Sequence, residues 1–206
     1  MPAVTVNGRR VRYEMTGDGF PLLLVPDRNG TIHDWAPAMP LLGELCRVIA
    51  YEYEQSAPAG TPSAQLPLLE RVADLHAVFA ALAVERAYVA GVAAGGLTAL
   101  AYALRAPQRL EGLTLISVTT TDGELAKSLQ DLTTPTLLVA GEEAAEHRAW
   151  ATQLARQCAR ASTEVIARSN KAPHREQPLQ LGHIVLRFLL QCERQRNLVR
   201  GASFLL

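Results

Sequence analysis

Short apolar runs recur along the chain at Pro21 to Val25, Cys46 to Tyr51, Ala87 to Val92, Leu113 to Val118, Thr136 to Ala140 and Thr163 to Ala167. Runs of this kind, with little polar alternation, suit strands covered on both faces. Ahead of them, Val4 to Val6 and Arg9 to Glu14 flank Asn7-Gly8, a strong hairpin signal. Between the runs, Leu66, Leu69, Val72, Leu75, Phe79 and Leu82 recur every three or four residues, which predicts an amphipathic helix. Leu97 to Leu104, Ala145 to Cys158 and Leu179 to Leu198 follow the same logic. Strands alternating with helices predict an α/β fold. Its sheet should be mostly parallel, with an N-terminal antiparallel hairpin and helices on both faces. With no repeat, low-complexity block or linker in view, residues 1–206 read as one domain.

Composition narrows the function classes. Twenty Lys+Arg balance twenty Asp+Glu. Phosphate binding needs clustered positive charge, so no nucleic-acid partner is expected. The longest apolar stretch, Ala77 to Val84, is too short to span a membrane, so no membrane partner is expected either. Met1 to Val6 has neither the basic start nor the apolar run of a signal peptide, which points to a cytoplasmic protein. Cys46, Cys158 and Cys192 are far apart and form no CxxC pair. They read as reduced, buried thiols, and no metal site is expected. Zero net charge lowers the barrier to self-association, which leaves a homo-oligomer open.

The informative turn follows the third parallel run. Gly91-Val92-Ala93-Ala94-Gly95-Gly96 has the glycines of a nucleophile elbow, Gly-x-nucleophile-x-Gly, where a crowded strand-to-helix turn tolerates only small neighbours. From here the chain resembles the α/β-hydrolase superfamily over nearly its whole length. Asn7 to Tyr13 looks like that family's opening hairpin, and Leu22 to Trp35 is similar to the segment that carries a His-Gly dipeptide. Pro135 to Glu143 resembles the strand before the triad acid, and His174-Arg175-Glu176-Gln177-Pro178 the tail after the triad histidine.

The departures from that pattern carry the functional reading. The resemblance puts the family's serine on Ala93, its acid on Ala144 and its histidine on Lys171, and Pro26-Asp27 replaces His-Gly. Alanine has no nucleophilic atom. The cap that roofs the pocket in relatives is reduced to residues 119–134, with one short helix expected from Glu124 to Leu132.

Some site chemistry survives on this reading. The backbone N–H groups of Ala94 and Arg28 take the oxyanion-hole positions. Lys171 is a candidate base, better suited to that role if apolar neighbours disfavour its ammonium by desolvation, or an anchor for an acidic ligand. Pro26, Asp27, Ala93, Thr119, Ala144 and His174 complete the expected pocket, with His174 more often structural in the family. Glu52 reads as a loop organiser, Asp122 as a displaced acid with nothing left to orient, and Phe204-Leu205-Leu206 as an apolar handle.

Three functions remain, the last of them residual esterase activity from an unrecognised nucleophile, for which Ser117 and the threonines at 119–121 are the hydroxyls near the strand ends. The first is a non-hydrolytic enzyme of lyase, isomerase or cyclase type, needing no cofactor and polarising a carbonyl of a small apolar or carrier-bound molecule. The second is an inactive pseudoenzyme acting as a ligand- or protein-binding module. The first needs open oxyanion donors; the second does not.

Overall fold

The computed structural model describes residues 1–54, 66–119, 125 and 127–203. Eight strands form one sheet: β1 (Ala3–Val6), β2 (Arg9–Thr16), β3 (Phe20–Val25), β4 (Cys46–Tyr53), β5 (Ala87–Val92), β6 (Leu110–Ile116), β7 (Thr136–Gly141) and β8 (Ala161–Ile166). Their order across the sheet is β1-β2-β4-β3-β5-β6-β7-β8. The β1–β2 and β2–β4 pairs are antiparallel, and every pair from β4–β3 onward is parallel. Around it lie α1 (Met39–Gly43), α2 (Leu68–Ala81), α3 (Ala94–Arg105), α4 (Ala145–Gln157), α5 (Pro173–Glu176) and α6 (Pro178–Ser203). The predicted α/β architecture is therefore present.

The period of two explains both cores. In β3, Leu23 and Val25 pack with α2 and α3 residues such as Leu75, Phe79 and Leu100, while Leu22 and Leu24 face Leu42, Leu181 and Leu189 on α1 and α6. Central strands thus have no polar face to show, which is why they read as continuous apolar runs. Among the described residues no helix is long and apolar enough to cross a membrane. All three cysteines are buried thiols.

Several boundaries differ from the sequence expectation. Strand β6 begins at Leu110 and ends at Ile116, because Ser117 takes a positive φ of 49° and leaves the strand. Helix α3 starts at Ala94, ahead of the apolar period, since its first turn is built of small residues packed against backbone. Leu69, which the spacing assigns to the buried stripe of α2, is 62% exposed. Successive steps of three lag a 3.6-residue turn by about 60° each, which carries Leu69 off the face held by Val72, Leu75 and Phe79. Of the helix expected over Glu124 to Leu132, the described part holds a 3-10 turn, Ser128–Asp131. Asp122 and Phe204 to Leu206 lie outside the described residues.

A polar clamp ties the opening hairpin to α2. Asn7, at φ 47°, donates from Nδ2 to Asp74 Oδ1 at 2.8 Å, and Arg9 reaches both Asp74 oxygens at 3.1 and 3.2 Å. Arg9 also meets Glu70 at 2.8 Å, but the Glu70 side chain is half exposed whereas that of Asp74 is fully buried. Removing the buried partner takes away the bonds of both Asn7 and Arg9 to Asp74 and leaves Arg9 only the exposed Glu70; removing Glu70 keeps the buried pair and leaves the outer end of the guanidinium to water. Asp74→Ala should cost about 3 kcal/mol or more in urea unfolding. Glu70→Ala should cost under about 1 kcal/mol, and equal losses would refute this ranking.

Candidate functional site

Backbone crowding builds the site at the carboxyl end of β5. A Cβ on Gly95 would stand 2.2 Å from the Pro26 carbonyl oxygen, and one on Gly96 2.3 Å from Val118. One on Gly91 would meet Gly95 and Gly96 at 2.7 Å. Only glycine permits α3 to press so closely onto the β3 loop. The chain passes through this bottleneck with Ala93 at φ 47°, ψ −114°, a conformation that side chains disfavour. Its N–H donates to the Ile116 carbonyl at 3.0 Å, which pins the turn to β6.

Position and chemistry separate here. The turn has the strained shape that lifts a nucleophile above a sheet, yet the side chain it lifts is a methyl group. The next N–H, that of Ala94, was expected to face a substrate oxygen. It instead donates to Asp27 Oδ1 at 3.1 Å. The Ala94 carbonyl accepts from Arg71 Nη1 at 2.8 Å and from the Thr98 hydroxyl at 2.9 Å, so this first turn of α3 is held from both sides. Pro26 is buried and Arg28 exposed. Between Asp27, Arg28, Tyr51, Tyr53, Arg71 and Thr98 remains a cavity of about 10 Å³, no more than a single water needs.

Arg71 is not among the residues that the sequence singles out. Its spacing of three and four from Asp74 and Leu75, both fully buried, would have placed it inside the stripe. Burial lowers its pKa, and the nearby Arg28 charge lowers it further, while Tyr53 and Asp27 favour its charged form.

The remaining predicted residues form a second cluster at the ends of β7 and β8. Ala144 is buried at the start of α4. A Cβ on Gly141 would lie 2.1 Å from the Asn170 carbonyl, so the β8 loop packs directly on the end of β7. Glu176 braces that loop, accepting from Ser169 Oγ at 2.7 Å, the Asn170 N–H at 2.5 Å and the Ala172 N–H at 3.2 Å. Lys171 sits in the braced loop and is exposed. The apolar desolvation expected to activate it is absent, because the loop turns its side chain outward to solvent. Its charge is felt by His147, one turn into α4, whose pKa is lowered by burial and then by Lys171. Thr119 is half-buried beyond β6.

His174 belongs to the framework. It is buried, with its ring 5.3 Å from that of Trp35. Burial, helped by Arg175, pushes its pKa down to about 4 against the pull of Asp34 and Asp27. Glu52 is buried and accepts from the Ile32 N–H at 2.8 Å and from Arg12, fixing the loop after β3. Asp34 accepts from the Thr31 N–H at 2.8 Å and from Arg175 at 3.0 Å. Among the described residues no group of His, Cys, Asp and Glu is placed to hold a metal ion.

The sequence profile of the alpha/beta hydrolase fold family matches residues 21–177. The chain belongs to that family. A relative named "Putative carbamate hydrolase RutD" from Azorhizobium caulinodans is 33% identical over 105 residues, covering 51% of this chain and 40% of the relative. The matched stretch thus spans less than half of that curated relative's length. Among solved structures, a "predicted CIB-like hydrolase" from Thermoplasma acidophilum superposes with a TM-score of 0.82 at 20% identity, covering 91% of this chain and 96% of its own. The enol-lactonase from Burkholderia xenovorans LB400 gives 0.79 at 18% identity, covering 92% and 100%. Likeness at this identity shows a shared fold and nothing finer.

Two outcomes follow from this geometry. Above pH 6.5, the ordinary histidine value, His174 is neutral in folded and unfolded chain alike. Between 6.5 and about 4 only the unfolded chain takes up the proton, so stability falls as pH falls through that window. The loss reaches about 3 kcal/mol, and His174→Phe should flatten the slope in urea titrations from pH 7 to 4. At the elbow, Ala93→Gly should raise stability by about 1 kcal/mol by relieving the positive φ; a marked loss would show that the methyl packs usefully.

Proposed function

We propose that this protein is a catalytically silent member of its family that serves as a binding module. One observation carries the reading: the Asp27 carboxylate accepts the Ala94 N–H. An oxyanion hole works by offering free donors to negative charge that develops in the transition state. A carboxylate already seated there both uses the donor and repels the incoming charge.

The other supports agree with this one. Ala93 supplies no attacking atom. Lys171, the candidate base, is exposed in a loop that Glu176 braces. A lyase, isomerase or cyclase mechanism of the kind raised from the sequence requires the Ala94 N–H to polarise a carbonyl, and Asp27 holds that N–H. The relatives named for hydrolysis share the scaffold over the matched stretch. The scaffold is retained for its shape, with a ligand or partner protein as what it holds.

The test has two arms. Wild-type protein incubated with p-nitrophenyl butyrate and a fluorophosphonate probe should show neither turnover above buffer nor labelling; robust labelling would overturn the proposal. In the second arm, Asp27→Ala removes the internal carboxylate, so acetate should occupy the vacated donor and raise the variant's melting temperature relative to chloride. Wild type should not respond. An equal acetate response in wild type would mean that the hole is open after all.

A further inference from the structure

At the opposite edge of the sheet, where β5 to β8 begin, lies a groove of about 640 Å³. Strand β5 spans the distance to the elbow, roughly 20 Å at ~3.3 Å per residue. Ligands of open α/β sheets sit at the carboxyl ends of strands, so this amino-end groove is a different place altogether. Its volume falls within the ~300–1,000 Å³ of small-molecule sites.

The groove's charges are mostly spoken for, with one exception. Glu111 pairs with Arg86 at 2.8 Å and with Arg196, while Glu193 pairs with Arg196 and accepts from the Tyr88 hydroxyl at 2.6 Å. Both carboxylates are therefore neutralised within the wall. Arg160 has no carboxylate partner among the described residues; its Nη1 donates only to the Thr133 carbonyl, at 3.1 Å. That single bond orients the guanidinium and leaves most of its five donors unused. Three arginines against two glutamates leave one positive charge in excess.

A second, independent signal sits beside it. Thr134 lines the groove and is 4% exposed, yet its hydroxyl has no hydrogen-bond partner. A buried hydroxyl without a partner costs ~1–3 kcal/mol unless something in the groove supplies one. Beside Gln108 and Gln195, the groove offers apolar surface on Tyr88, Leu110, Pro135 and the Cys192 thiol, which burial pushes up to about 11 and so keeps uncharged.

We propose that this groove binds a small monoanionic molecule with an apolar body, its oxyanion held by the Arg160 guanidinium and the Thr134 hydroxyl and its body on Tyr88, Leu110 and Pro135. Arg160 selects a planar, bidentate anion such as a carboxylate. The neutralised glutamates set no repulsive barrier.

Calorimetric titration of the full chain with octanoate, octanol and inorganic phosphate at fixed ionic strength tests this. Octanoate should bind saturably, with octanol and phosphate each about tenfold weaker or more. Arg160→Gln should weaken octanoate by about tenfold, and Thr134→Val by about fivefold. Thr134→Val should leave the melting temperature unchanged or raised, because it removes a hydroxyl that has no partner in the free protein. Octanol binding as tightly as octanoate, phosphate binding as tightly as octanoate, unchanged affinity in Arg160→Gln, or no saturable binding would each overturn the proposal.

Discussion

The fold hangs on one close approach of backbone to backbone. At Gly91, Gly95 and Gly96 there is no space for a Cβ, and the Pro26 carbonyl lies where one on Gly95 would go. This contact fixes the distance between the β3 loop and the first turn of α3. Asp27, next to Pro26, therefore arrives within 3.1 Å of the Ala94 N–H. Arg71 arrives at the carbonyl of the same residue from α2. The state of the candidate site is a consequence of that packing rather than a separate feature.

Strain at such a turn normally finds its reason in the nucleophile it presents. Here Ala93 retains the positive φ while presenting a methyl. The physical explanation lies in the neighbours. The three glycines and the bond from the Ala93 N–H to Ile116 hold the turn whatever side chain it carries. A helix N-terminus left open would attract anions, since its first N–H groups lack partners. Asp27 satisfies that end from within the protein, and stability is a sufficient reason for its place.

The two ends of the sheet have opposite character. At the carboxyl ends, Asp27, Arg71 and Thr98 all meet the backbone of Ala94. At the amino ends, Arg160 and Thr134 keep unused capacity around an open groove.

Much of the architecture was legible in the chain. Period-two burial of β3 to β7 on both faces left continuous apolar runs, Asn7-Gly8 announced the hairpin, and the spacing of Gly91, Gly95 and Gly96 marked the elbow. These are local signals, written by neighbours within a few residues. Asp27 on Ala94, Arg71 on the same residue and the outward Lys171 were not legible, because each depends on residues brought together from separate βα units. Leu69 shows the same limit within one helix, where spacing alone did not say which side meets the sheet. By itself the sequence determined an α/β-hydrolase scaffold with alanine at its elbow. Only the tertiary structure decided that the N–H beside that alanine meets the protein's own Asp27 carboxylate, since the pairing of a donor depends on distances that no local pattern encodes.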